Sequence, residues 1–216
     1  MYKLNKKVTG AAVVTLSALV LSACGSPEGS IQDQWSEAAG AEEKFPEKDE
    51  ELTELAGEEQ NVFENLTSYK NNEQKKIESS VKEAVSSVNE RKELMEEEQE
   101  EINQAYNEAM EADEPIENLE NEEMTDKAKQ AQQAMKKRNE AFNGVHDAYM
   151  EAADKEIDMY ESFNDKNLEL EALEEDLDTI NSSYEEVESY RETFNAETKA
   201  FNEAKNTFGE MMEEES

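Results

Sequence analysis

The chain has 216 residues, with 56 Asp and Glu against 21 Lys and Arg, for a net charge of −35. That balance excludes a nucleic-acid partner, which needs a basic footprint, and it disfavours electrostatic docking on anionic lipid. A single cysteine, Cys24, forms no internal disulfide, so the fold must rest on its core alone.

Lys3, Lys6 and Lys7 open the chain, and Val8 to Leu21 are apolar or small apart from Thr9, Thr15 and Ser17. A positive start, a short apolar core and small residues at its end describe a secretory signal. The core is shorter than the roughly 20 apolar residues of a membrane-spanning helix. Leu21-Ser22-Ala23-Cys24 fits the bacterial lipobox. Residues 1–23 therefore read as a lipoprotein signal peptide, with Cys24 as the lipid attachment site. Two acyl chains, at about 0.8 kcal/mol per buried CH₂, hold a protein stably where one does not. The expected location is the extracytoplasmic face of the cell membrane. Removing residues 1–23 takes away three lysines and no acid, so 18 basic residues face 56 acidic ones and the mature charge is −38. Anionic wall polymers would be repelled by such a domain unless divalent cations bridged them.

Residues 24–46 read as a tether that reaches on the order of 18 Å as flexible coil over its first ten residues. A short helix within it, Ile31 to Ala41, places Trp35 as a bundle contact, with a membrane-proximal contact as the alternative. Beyond it the apolar residues recur in steps of three and four, one stripe of an α-helix. The first run is Leu52, Leu55, Val62, Phe63 and Leu66, interrupted at Gly57. Residues 67–72 break the chain, with Thr67 or Ser68 as a cap for the next helix. The second run is Ile77, Val81, Ala84, Val88, Met95, Ile102, Tyr106 and Ala109, ended by Asp113-Glu114-Pro115. A third, capped by Thr125-Asp126, goes from Met124 through Met135, Phe142, Tyr149 and Ile157 to Phe163. Asn164 to Asn167 form a turn. The fourth run is Leu170, Leu173, Leu177, Ile180, Tyr184, Val187, Phe194, Phe201 and Phe208, near heptad spacing, with Gly209 as its stop.

Helices joined by short turns run antiparallel. The pattern predicts an all-α protein: an elongated antiparallel up-down helical bundle of three long helices plus a shorter N-terminal one. It occupies residues 47–209 as one domain, with an acidic tail at 210–216. Heptads also build coiled coils, so a monomeric bundle and a dimer through an exposed seam both fit.

Candidate chemistry is sparse, and no cofactor, metal ligand or catalytic residue is assigned. His146 is the one histidine, whereas a di-iron bundle needs two Glu-x-x-His pairs. Asp147 is its neighbour, and adjacent helical residues do not face each other. Glu96-Glu97-Glu98, Glu100-Glu101 and Glu174-Glu175-Asp176 lack the glycine-centred loop of a calcium site and read as solvated faces. Most aromatics lie on the core stripes; Tyr69 and Tyr190 fall off them or at their edges.

Several stretches resemble the YkyA-type lipoproteins of Gram-positive bacteria, a family labelled cell-wall-binding. They are Glu90-Arg91-Lys92-x-Leu94, Arg138-x-x-Ala141-Phe142, Asp147-Ala148-Tyr149, Asn181-x-x-Tyr184, Phe194-Asn195 and Phe201-Asn202-x-Ala204-Lys205-x-x-Phe208. His146 departs from the aromatic or apolar residue expected there. The resemblance implies a helical-bundle lipoprotein at the membrane–wall interface and carries over no catalytic residue. The expected function is a non-enzymatic, lipid-anchored envelope protein that binds a wall component such as peptidoglycan. The alternative is a helical scaffold that binds another envelope protein.

Overall fold

The computed structural model describes Leu16, residues 25–70 and residues 72–215. Cys24 and, Leu16 apart, the expected signal peptide lie outside the described residues. Six helices follow in order: α1 Pro27–Ala41, α2 Phe45–Ser68, α3 Gln74–Met110, α4 Asp113–Glu117, α5 Glu122–Ser162 and α6 Leu170–Glu215. No strand occurs among the described residues.

The helices are stitched by an unbroken alternation of four- and three-residue steps. In α3 the buried series is Ile77, Val81, Ala84, Val88, Arg91, Met95, Glu98, Ile102, Ala105 and Ala109. In α6 it is Leu173, Leu177, Ile180, Tyr184, Val187, Arg191, Phe194, Thr198, Phe201, Lys205 and Phe208. The same alternation runs from Phe45 to Leu66 in α2 and from Met124 to Met159 in α5. A 3.5-residue hydrophobic period keeps one seam facing its partners, as in coiled coils. Polar residues occupy several seam positions without interrupting the period. α5 also buries Gln132, Ala134, Ala141, Ala148, Ala153 and Tyr160 beside its series, so it presents more than one face to neighbours.

The chain divides into two compact units. Long helices allow this, because α3, α5 and α6 each contribute a segment to both. Unit 1 comprises residues 47–97 and 144–189. There α2 runs antiparallel to α3, with Lys48 paired to Glu97 at 2.8 Å and Glu59 to Arg91 at 2.7 Å. Phe63 packs edge-on against Phe163 at 6.3 Å. The described part of unit 2 comprises residues 25–46, 98–143 and 190–215, with Leu16. Trp35 stands edge-on to Phe201 and Phe208 at 5.7 and 5.3 Å, and Phe45 to Phe142 at 5.6 Å.

Four boundaries differ from expectation, each for a local reason. The helix expected from Ile31 to Ala41 begins four residues earlier, at Pro27. Ser26 caps α1 by accepting from the Gly29 amide at 3.2 Å, Pro27 suits the first turn, and Ile31, Trp35 and Ala38 are buried. α2 continues through Gly57, an exposed position where the missing side chain leaves no gap. α5 is capped by Asn121 instead of Thr125-Asp126: its Oδ1 accepts from the amides of Glu123 and Met124 at 2.9 and 3.2 Å. α6 runs past Gly209 to Glu215, because Gly209 is buried beside Phe208 and keeps a helical φ, so the expected tail continues the helix. At the other end of α6, Leu170 precedes the seam and is 57% exposed.

Burial lowers the pKa of Lys205 to about 8. The unfolded chain therefore binds more protons between about 8 and the ordinary lysine value, and stability rises with pH across that window. Relative to the parent, Lys205→Met should be more stable at pH 7 than at pH 10, because the parent gains stability across that window. Urea midpoints of both proteins at pH 7 and pH 10 check this; an advantage that grows with pH contradicts it.

Candidate functional site

Two buried arginines organise the polar interior, one in each unit. Both occupy heptad positions where the seam would ordinarily hold an apolar residue. In unit 1, Arg91 of α3 is fully buried. Its Nη1 donates to the Tyr149 and Tyr184 hydroxyls at 2.8 and 3.0 Å, and its Nη2 donates to Glu59 at 2.7 Å and to Glu156. α2, α3, α5 and α6 thus meet at one guanidinium. Burial alone would lower the pKa of Arg91, but Glu156, Tyr149, Tyr184 and Glu59 outweigh it and hold the cation well above its ordinary value. Burial pushes Tyr149 up to about 12 and raises Tyr160 and Tyr184 as well, so all three phenols stay protonated.

In unit 2, Arg138 of α5 forks onto the Glu42 carboxylate, with both contacts at 2.6 Å, and its Nε donates to the Thr198 hydroxyl at 2.7 Å. Its guanidinium carbon lies 4.3 Å from the centre of the Phe194 ring. Glu42 is the C-cap of α1, so this contact fixes the junction between α1 and α2 against α5 and α6. Burial raises the Glu42 pKa, and Arg138 opposes the rise without cancelling it.

Each unit also carries an open groove. That of unit 1, about 650 Å³, lies between α2 and α3. Its walls include Leu55, Glu58, Asn61 and Val62 on one side and Ser79, Lys82, Ser86 and Glu90 on the other, and Glu59 also lines it. Short serines on α3 leave the space open. The groove of unit 2, about 420 Å³, lies between α5 and α6, where Ala134, Ala200 and Ala204 stop short of filling it. Both volumes suit a ligand, and no aromatic residue lines either one.

The residues singled out by sequence are scattered. His146 is half-buried with Nδ1 3.1 Å from Asp147 Oδ1, so the two neighbours do meet, through a surface carboxylate that bends back to the ring. Glu96, Glu97 and Glu100 are exposed as expected of a solvated face, but Glu98 is buried at a seam position. Glu174 and Asp176 are partly covered and Glu175 is exposed. Tyr190 is exposed and Tyr69 half-buried. Among the described residues, no group of three or more His, Cys, Asp or Glu is placed to hold a metal ion. No helix there is long and apolar enough to cross a membrane. Apolar periodicity does not mark Arg91, Glu59, Glu156, Glu42 and Arg138, because all five are charged. Their signal was their heptad position.

Removing one partner of a buried pair leaves an uncompensated charge and costs about 3–5 kcal/mol, whereas replacing the whole set with apolar residues is often neutral or stabilising. Arg91→Met alone should destabilise by about that amount. Adding Glu59→Leu and Glu156→Leu to it should recover most of the loss in urea unfolding. A triple variant as unstable as the single one contradicts the network.

The YkyA family, described as "Putative cell-wall binding lipoprotein", matches residues 26–211. The chain is 27% identical over 190 residues to the "Uncharacterized lipoprotein YkyA" of Bacillus subtilis (strain 168), covering 87% of this chain and 85% of that protein. No solved structure matches it. The stretches that carry the resemblance contain Arg91, Tyr149 and Tyr184 of one buried network and Arg138 and Phe194 of the other. With the match extending from the cap of α1 nearly to the end of α6, the chain belongs to the YkyA family of lipoproteins.

Proposed function

We propose that the protein is held by lipid on Cys24 at the extracytoplasmic face of the membrane and binds a cell-wall component without catalysing a reaction. The observation that carries this reading is the family match from residue 26 onward, directly behind the lipobox Leu21-Ser22-Ala23-Cys24. The interior supports a binding role. Tyr149, Tyr184 and the Glu42 carboxyl are engaged by buried arginines and stabilise the fold, while the grooves carry hydrogen-bonding side chains that suit a hydrated ligand. A protein partner is the weaker reading, since Leu170 and Tyr190 are the only large hydrophobics exposed among the described residues.

Two measurements test the parts separately. Cys24→Ala should abolish incorporation of labelled palmitate and release the chain from the membrane fraction; unchanged labelling and retention would remove the anchor assignment. The mature protein in detergent should co-sediment saturably with insoluble wall sacculi. No binding, with or without teichoic acid and Mg²⁺, would turn the reading toward a protein partner.

A further inference from the structure

The overall acidity conceals a local inversion of charge. From Lys127 to Asn139 no acidic residue occurs, and the stretch carries Lys127, Lys129, Lys136, Lys137 and Arg138. Arg138 turns inward to Glu42. The lysines do not: Lys129, Lys136 and Lys137 are exposed and Lys127 is half-buried. Together they span about 15 Å of α5 at 1.5 Å per residue. The exposed residues between them are Gln130 and Gln133, so the solvent side of residues 127–139 carries ammonium and amide groups and no carboxylate.

The face borders the groove of unit 2. Lys127 and Lys137 stand on its α5 wall, and the two carboxylates of its α6 wall are already engaged. Glu197 lies 3.8 Å from Lys137, and Glu203 lies 3.7 Å from Lys199. Lys127 reaches only Gln130, at 3.3 Å, and Lys129 and Lys136 form no ion pair among the described residues. Of these four lysines on a chain with 56 acidic residues, only Lys137 thus has an ion pair among the described residues.

We propose that this solvent side of α5 docks a linear phosphodiester-linked polyanion of the cell wall, with Lys129, Lys136 and Lys137 meeting its phosphates and the adjoining groove, with Lys127 at its edge, receiving the polymer's substituents. This rests on the reading that the protein binds a wall component, and it names the surface and the chemistry. Point charges spread over about 15 Å of a rigid helix suit a polymer of repeating charge better than one compact anion. At an ionic strength near 0.1 M the Debye length is about 10 Å, so carboxylates farther away are largely screened while lysine–phosphate contacts are not. The acidic remainder of the chain is then compatible with a polyanionic partner, and the contact needs no bridging divalent cation.

The test uses the mature protein in detergent, labelled soluble poly(glycerol phosphate), a chelator and about 0.1 M salt. One variant replaces Lys127, Lys129, Lys136 and Lys137 with glutamine. A control replaces the exposed Lys44, Lys70, Lys75 and Lys166 with glutamine, removing equal charge elsewhere. All eight positions lie at the surface, so thermal melts of both variants should match the parent within a few degrees. The parent should bind the polymer in chelator, the first variant at least tenfold more weakly, and the control within twofold of the parent. Equal loss in both variants would reduce the effect to net charge and overturn the proposal, as would no loss in the first. Binding of the parent to sacculi stripped of phosphate polymer, unchanged in the first variant, would overturn this assignment while leaving wall binding in place. Failure of the parent to bind any wall fraction would overturn both.

Discussion

A guanidinium held away from water is tolerable only when its charge and its donors are met by well-placed partners. Arg91 and Arg138 impose that condition on this fold. Arg91 needs carboxylates from α2 and α5 and hydroxyls from α5 and α6, so four helices must arrive in one alignment for any of them to be satisfied. A shift along the heptad seam would keep apolar residues buried but would strand the cation. The same holds in unit 2, where the forked contact of Arg138 with Glu42 ties the α1–α2 junction to the seam of α5. Apolar burial drives association, and the buried ions restrict it to one register.

That division of labour leaves the surface free for other uses. Large aromatics are spent in the interior, with Trp35, Phe45, Phe142, Phe194, Phe201 and Phe208 all buried in unit 2. The outer helix faces then differ mainly in charge and in side-chain length. Serines and alanines open the two grooves, and lysines gather along one stretch of α5 while carboxylates dominate elsewhere. Such a surface suits recognition through polar contacts on rigid helices. Association then depends on ionic conditions more than on buried apolar area.

Much of this architecture could be read from spacing alone. The steps from Ile77 to Ala109 and from Leu173 to Phe208 mark α3 and α6, and the turn at Asn164 to Asn167 separates α5 from α6 as expected. Errors arose where one residue type admits two roles. Gly209 reads as a stop, yet a glycine packed in a seam continues the helix. Glycine and proline near Cys24 suggested coil, yet Ser26 and Pro27 begin a helix whose Trp35 is buried. The networks were hidden because arginine and glutamate are normally surface residues, and only their place in the heptad reveals that they point inward. The lysine face escaped notice because the total charge masked its local sign.

Buried pairs that set the register must be energetically coupled, and a double-mutant cycle on Glu42 and Arg138 measures that coupling directly. Glu42→Gln, Arg138→Met and the combined variant would be compared with the parent by urea unfolding at neutral pH. Residues within one ion-pair network couple by about 0.5–3 kcal/mol, and a forked contact in a dry seam should fall in the upper half of that range. A coupling energy near zero, with the two single losses simply additive, would mean that the pair is incidental to the fold and would contradict this account.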